Sequence, residues 1–278
     1  MKKKIVIVFL TFNSKKIIRN SIKSAKKLTD EIIIVDSFST DKTVQICKKL
    51  GCKIFQRKFK NYSNQRNWII NKINNNYKWQ LHLDADEIMD RKLLNSIKKI
   101  IDKDENEKCF LIKKKYFFLN RPLKYPGLNK WHLRLFKSHT TRCEKRAYDQ
   151  HFVSKYKTKN ILTGNLLDQD RLNFSRWKEK HLNWAIMEAS ESYNKKNKKK
   201  LFNKDDPRYK IRKLKNFYYQ LPILLRPFLY FFYRYFYKQG FKDGKIGFLF
   251  SFYHAFWFRF QVDINIIKLT LRKIKIEQ

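Results

Sequence analysis

The chain has 278 residues, of which 43% are hydrophobic and 16% aromatic, and its 64 Lys and Arg against 24 Asp and Glu leave a net charge of +40. That length supports one large domain or a domain with an extension, and the apolar content excludes a disordered basic tail. The charge calls for an anionic partner, whether nucleic acid, an anionic membrane surface or a phosphorylated substrate, although a drift toward Lys, Ile and Asn accounts for part of it.

In chain order, a basic head precedes a short apolar run, Ile5 to Leu10, with no small-residue cleavage site after it. It reads as a first strand and not as a signal peptide. Asn13 or Ser14 is placed to cap a helix whose apolar residues Ile18, Ile22 and Ala25 recur at helical spacing, and Glu31 to Val35 forms a second strand. A helix from about Asp41 turns Val44, Cys47 and Leu50 inward and stops at Gly51, before a short strand from Lys53 to Gln56. Asn64 to Ile73 reads as helical, Trp79 to Leu83 as a strand, and Leu93, Leu94, Ile97 and Ile101 mark another amphipathic helix. Short β-branched runs alternating with amphipathic stretches predict βαβ units, hence an α/β fold with a mostly parallel sheet flanked by helices.

The middle third reads as strands, Cys109 to Leu119 and Trp131 to Lys137, joined by a loop bearing Pro and Gly. A long helix follows from Ser175 to about Lys199, with Trp177, His181, Trp184 and Glu188 on one face. Beyond Asp205 the composition turns aromatic. The apolar run Leu221 to Tyr233 is too short to span a bilayer and is broken by Pro and Arg, so Phe217 to Phe260 is expected to lie in a membrane interface with its Lys and Arg snorkelling to phosphates, the alternative being a helical extension packed on the core. The cysteines, Cys47, Cys52, Cys109 and Cys143, form no C-x-x-C pair, which implies a reduced, cytosolic chain.

Parallel sheets bind ligands beyond the carboxyl ends of their strands, which here carry Thr11, Asn13, Asp36, Asp84 and Asp86. Carboxylates one residue apart, a D-x-D, suit a hard divalent cation bridging the oxygens of a diphosphate. Six glycines leave no G-x-G-x-x-G and no P-loop, and neither H-E-x-x-H nor G-x-S-x-G occurs. Group transfer from an activated nucleotide fits what remains.

The segments IVIVFLTFN (5–13), DEIIIVDSFSTDKT (30–43), QRN (65–67) and LDADE (83–87), in that order, resemble a family 2 inverting glycosyltransferase of GT-A fold. DQHF (149–152), WKEKH (177–181) with Glu188 and Ala189, and GFKDGKIGF (240–248) resemble its lipopolysaccharide core glucosyltransferase-like branch. Phe38 departs from the pattern, which usually has Gly there. The resemblance implies a GT-A Rossmann-like domain over 1–200, with a nucleotide-sugar-binding part (1–115) and an acceptor part (116–200), followed by a basic aromatic helical membrane-interface extension (201–278). It implies a hexosyltransferase-like, metal-dependent enzyme acting on a lipid-linked saccharide, the lipopolysaccharide inner core, peripherally at the cytoplasmic face of the inner membrane.

Carried over by position, Thr11, Asn13 and Asp36 line the nucleoside pocket, Arg66 lies near the pyrophosphate, Asp84 faces the ribose or sugar, and Asp86 holds Mg²⁺ or Mn²⁺. Asp149 is the expected base for the acceptor hydroxyl, with Glu144 in reserve and His151 as a further metal or phosphate contact. His181 with Trp177 and Glu188 is either an acceptor-side cluster or a helix face with a satisfied His. Two other readings stand beside this one. A basic aromatic module binding single-stranded RNA has no use for Asp84 and Asp86, so no nucleic-acid partner is expected. A metal-dependent nucleotidyltransferase would share the carboxylates but release pyrophosphate.

Overall fold

The computed structural model describes residues 2–103, 106–128, 130–145, 150–161, 163–168, 174–195 and 209–277. Two compact units emerge, one of residues 1–122 and 128–171, the other of 123–127 and 172–278. The long helix of 174–195 packs against the chain's last helix.

The first unit runs β1 (Lys3–Thr11), α1 (Ile18–Lys26), β2 (Ile32–Asp36), α2 (Thr43–Lys49), β3 (Lys53–Gln56), α3 (Tyr62–Ile73), β4 (Tyr77–Asp84), β5 (Glu87–Met89), α4 (Arg91–Lys103) and β6 (Cys109–Phe118). Short strands β7 (Arg121–Leu123), β8 (Trp131–Lys137), β9 (Thr141–Cys143), β10 (Phe152–Ser154), β11 (Thr158–Asn160) and β12 (Leu166–Asp168) follow. The sheet order is β3-β2-β1-β4-β8-β6-β12-β5. The first four strands of that order are parallel, and β8 joins antiparallel to both β4 and β6. This is the expected α/β, GT-A-like arrangement of a mostly parallel sheet flanked by helices.

Alternation along β1 explains why its apolar run is unbroken. Ile5, Ile7 and Phe9 enter a core with Ile18 and Ile22 of α1 and Ile97 and Ile101 of α4. Val6 and Val8 point the other way, onto Ile69 and Ile73 of α3. A parallel strand covered on both faces needs apolar residues at every position. Gly51 ends α2 with φ 71°, as its position predicts. Gly164 has φ 87°, and a Cβ there would lie 2.0 Å from the Leu93 backbone nitrogen, so the start of α4 admits only glycine beside it.

Two details differ from expectation. Neither Asn13 nor Ser14 caps α1 with its side chain; Ile17 is the N-cap, and the N–H groups of Ile17 and Ile18 reach the Ser14 carbonyl. Strand β5, three residues long after a tight turn, has no sequence periodicity to reveal it. All four cysteines are free. Burial pushes the Cys47 thiol up to about 12 and those of Cys52 and Cys143 up to about 11, which leaves them as inert packing groups.

The second unit holds α5 (Phe174–Lys195), α6 (Tyr209–Gln220), α7 (Arg226–Phe232), α8 (Gly244–Phe250) and α9 (Phe258–Glu277), with π-helical turns at Tyr233–Tyr237 and Ser251–Trp257. Several of its charged residues pair inside it. Glu188 of α5 accepts hydrogen bonds or ion pairs from Tyr219 Oη, Lys215 and Arg259, each at 2.8 Å. Fully buried Asp263 receives Arg226 Nε at 2.9 Å and the Leu224 N–H at 3.0 Å. His181 stacks on Trp177 with centroids 3.6 Å apart and donates from Nδ1 to the Trp177 carbonyl, which is the satisfied-helix-face outcome. Among the described residues no helix is long and apolar enough to cross a membrane.

Candidate active site

The strand ends carry two polar clusters that adjoin along β1, where Thr11 is in register with Asp36 of β2 and Leu10 with Asp84 of β4. In the first, buried Asp36 accepts from Thr11 Oγ1 at 2.9 Å, Ser39 N–H at 2.8 Å and Ser39 Oγ at 2.5 Å. Asn13, at φ 47°, receives the Thr40 N–H on its Oδ1 at 2.9 Å and donates its own N–H to Ser39 Oγ at 2.9 Å. Short polar side chains tolerate this left-handed backbone because they bond locally. Phe38 shares it at φ 61° with its ring exposed, an uncommon state for a bulky residue that costs about 1–2 kcal/mol. Exposed Phe12 sits one residue past Thr11, so two rings flank this cluster in sequence.

The second cluster is a charge network. Arg66 of α3 donates to Asp84 Oδ1 at 2.7 Å and to the Leu83 carbonyl at 2.8 Å. Arg134 of β8 donates to Asp84 Oδ2 at 2.5 Å and Glu87 Oε1 at 2.8 Å. Lys114 of β6 bridges Glu87 and Asp168, both at 2.9 Å. Glu87 Oε2 accepts the Asp84 N–H at 2.8 Å, and Ser21 of α1 donates its hydroxyl to the Ala85 carbonyl at 2.7 Å. The D-A-D turn is therefore clamped from α1, α3, β6 and β8 together. Burial works to raise the Asp84 carboxyl, but the charges of Arg134 and Arg66 outweigh it and hold the group well below the usual carboxylate range. Lys114 is likewise kept cationic, Asp168 and Glu87 overcoming the opposing effect of burial.

Behind the network lies His82, fully buried and stacked on Phe136 at 5.1 Å. Its Nδ1 is 3.4 Å from Arg66 Nη1 and its Nε2 3.0 Å from Gln80 Oε1. Arginine only donates, so Nδ1 accepts and Nε2 carries the proton. Burial and then Arg66 push this imidazole well below its ordinary 6.5. The unfolded chain therefore takes up the proton first as pH falls, so the stability His82 contributes is complete above pH 6.5 and is lost progressively below it. We expect the first unit to lose about 1–2 kcal/mol by about pH 5 relative to neutrality through this group. Denaturant unfolding of wild type and His82→Gln across that range checks it, the variant showing a shallower slope; equal slopes refute it.

Sequence reasoning found Thr11, Asn13 and Asp36, which the structure gathers into one cluster, and Arg66 and Asp84, which it places in direct contact. It missed Glu87, Arg134 and Lys114. It also gave no roles to Gln65 and Asn67. Gln65 donates to the Arg57 carbonyl and to Ser37 Oγ at 3.0 and 3.2 Å, and Asn67 exchanges two hydrogen bonds with the Cys143 backbone at 2.8 and 2.9 Å. The QRN run thus pins three different segments from one turn of α3. Asp149 lies outside the described residues. Glu144 Oε2 receives the His151 N–H at 3.3 Å, and the Glu144 N–H reaches the His151 carbonyl at 2.9 Å. Nearby along β8, Tyr116 Oη and His132 Nε2 are 2.8 Å apart, and the His132 and His151 rings are 6.4 Å apart.

Among the described residues no group of three or more His, Cys, Asp or Glu is arranged to enclose a metal ion. Asp84 and Glu87 direct their oxygens to guanidinium, ammonium and N–H donors, while Asp86 is half-buried in the turn between β4 and β5. Asp86 is the carboxylate of this turn that would hold a hard cation, a role one oxygen ligand can share with a bound diphosphate.

With this fold and these strand-end clusters in place, comparison with known proteins is direct. The model of Glycosyl transferase family 2 matches residues 6–160, more than half of the chain, and the protein belongs to that family. An uncharacterized glycosyltransferase of Rickettsia bellii is 31% identical over 163 residues, 59% of this chain and 52% of its own length. One from Rickettsia conorii is 30% identical over 163 residues, 59% of this chain and 54% of its own. The chain thus spans about half the length of these curated relatives. Among solved structures, S. aureus TarS 1–349 aligns with a TM-score of 0.44 at 15% identity, over 98% of this chain and 92% of that one. Glucosyl-3-phosphoglycerate synthase from Mycobacterium tuberculosis, in complex with Mn²⁺ and UDP-glucose, aligns with a TM-score of 0.32 at 17% identity, over 39% and 42%.

Proposed function

We propose that the chain is an inverting, hexosyltransferase-like enzyme that moves a sugar from a nucleotide-sugar donor to a lipid-linked saccharide, the lipopolysaccharide inner core being the acceptor class. It works peripherally at the cytoplasmic face of the inner membrane. The observation that carries this reading is the adjoining pair of clusters on β1, one polar and one charged, at the carboxyl ends of parallel strands in a family 2 chain.

In this reading Thr11 and Asn13 line the nucleoside pocket, and Asp36 shapes it through the 37–41 turn that it holds. Arg66 supplies positive charge on the pyrophosphate side, and Asp84 presents its accessible edge to the ribose or sugar. Asp86 holds Mg²⁺ or Mn²⁺, whose chemistry when bound is to neutralise the diphosphate as it leaves. Asp149 accepts the proton of the acceptor hydroxyl while its oxygen bonds to the anomeric carbon from the face opposite the departing nucleoside diphosphate. The bond from the anomeric carbon to the diphosphate oxygen breaks as the new one forms, its electron pair leaving with the nucleoside diphosphate while the proton stays on Asp149, and the anomeric configuration is inverted.

Calorimetric titration with UDP, GDP, ADP and CMP, each with and without Mn²⁺, tests the donor site on wild type and Asp86→Ala. One nucleoside diphosphate is expected to bind with metal and to lose about tenfold or more in affinity in the variant, at least 1.4 kcal/mol. Absence of nucleotide binding, or binding that ignores both metal and Asp86, overturns the reading.

A further inference from the structure

Within the second unit, α7 and the π-helical turn that continues it are inside out. Arg226 and Arg234 are 4% and 1% exposed, whereas Phe232, Phe236 and Tyr237 are 54%, 55% and 73% exposed. Arg226 is locked onto Asp263 and lies over the Tyr219 ring at 4.8 Å. Arg234 donates to the Pro126 carbonyl, meets His254 Nδ1 at 2.8 Å and covers the Phe250 ring at 5.0 Å. The expectation that these arginines snorkel outward is therefore corrected: their charges are consumed inside the unit.

What the helix shows outward is apolar. Leu225, Phe228, Leu229, Phe232 and Phe236 follow helical spacing along one face, and all are exposed. Neighbouring rings extend the patch, Phe231 and Tyr235 reaching exposed Phe248 at 6.2 and 5.7 Å, and Tyr235 reaching exposed Phe241 at 6.2 Å. A contiguous apolar patch on an otherwise strongly charged chain marks a surface that is covered in use. Charge identifies the cover. From Tyr209 to Phe260 the only acid is Asp243, and its carboxylate accepts the N–H groups of Lys124 and Tyr125 at 3.0 and 2.8 Å. Lys238, Lys242 and Lys245 follow the patch and are exposed. A second copy would bring the same lysines against themselves, while an anionic headgroup layer over acyl chains answers both the rings and the charges.

We propose that this face docks in the plane of an anionic bilayer, with the rings of Phe228, Phe232 and Phe236 at the headgroup–acyl boundary and Lys238, Lys242 and Lys245 at the phosphate level. The proposal deepens the membrane placement in the preceding reading and rests on it only for that placement. It assigns the contact to one face, separates the lipid-facing lysines from the internal arginines, and requires no spanning segment.

The test is co-sedimentation of the full chain with vesicles of phosphatidylcholine alone and of phosphatidylcholine with phosphatidylglycerol. Wild type is expected to bind the mixed vesicles. Phe232→Ser/Phe236→Ser lowers its partitioning about tenfold or more, with an unchanged circular dichroism melt. Lys238→Gln/Lys242→Gln/Lys245→Gln lowers binding to mixed vesicles about a hundredfold and leaves binding to neutral vesicles unaltered, which gives an arm independent of the aromatic variant. Wild-type binding in both variants overturns the proposal. So does a wild type that ignores mixed vesicles and instead forms a dimer that Phe232→Ser/Phe236→Ser dissociates. Nucleotide titration of the same samples keeps the two ideas apart. Nucleotide binding without vesicle binding defeats only the docking face, and vesicle binding without nucleotide binding defeats only the transferase reading.

Discussion

Glu87→Ala is expected to destabilise the first unit by about 3–5 kcal/mol, the range for removing one member of a buried charge pair. Glu87 is fully buried and faces Lys114 on one side and Arg134 on the other. Its second oxygen holds the Asp84 N–H. Removing it leaves two cations short of a counter-charge and one backbone donor without its acceptor, three penalties from a single truncation. Glu87→Gln keeps an acceptor for the Asp84 N–H but loses the charge, so a smaller loss is expected. The comparison is Glu31→Ala, whose carboxylate pairs with exposed Lys3 and accepts the Tyr77 hydroxyl at 2.8 Å, and there the cost is about 1–2 kcal/mol. Urea unfolding followed by a probe in the first unit measures all three. A loss for Glu87→Ala no larger than that for Glu31→Ala shows that the network is ornamental to folding. The D-A-D turn is built around Glu87, so the variant also weakens any ligand that depends on the position of Asp86.

Asp263→Ala is expected to have an effect of the same size in the second unit, about 3–5 kcal/mol. Arg226 loses its only carboxylate contact among the described residues, and the Leu224 N–H, in a residue at φ 67°, loses the bond that helps hold that left-handed turn. Asp263→Asn retains one acceptor and is expected to fall between wild type and alanine. A thermal melt resolving the two units reads the effect, with the first unit's transition unmoved. If both transitions shift equally, the assumption that the units melt separately fails.

The parallel half of the fold was legible because its physics is local. Runs such as IVIVFL and EIIIVD are what strands buried on both faces require, and Gly51 marks a helix end whose left-handed φ is nearly reserved for glycine. Thr11, Asp36 and Asp84 could be found because strand ends are read directly from such runs. The clamp was harder, since Arg134 and Lys114 belong to no motif and meet Glu87 only after distant strands pair. A signal existed for one of them. Along β6, Phe110, Ile112, Lys114, Tyr116 and Phe118 share one face by period two, so an otherwise apolar face carries a cation that needs a buried acid. In the aromatic third, composition disclosed an interfacial character but not its orientation. Whether Arg226 and Arg234 faced out depended on Asp263 and His254, residues far along the chain.

The turn after β2 has one more implication. Asp36, Thr11, Asn13, Ser39 and Thr40 satisfy one another, so the mouth of β1 and β2 is set by the protein's own hydrogen bonds. On the proposed donor role of this turn, a nucleotide would meet little loop freedom to freeze, so the conformational entropy cost would fall on the ligand more than on the protein.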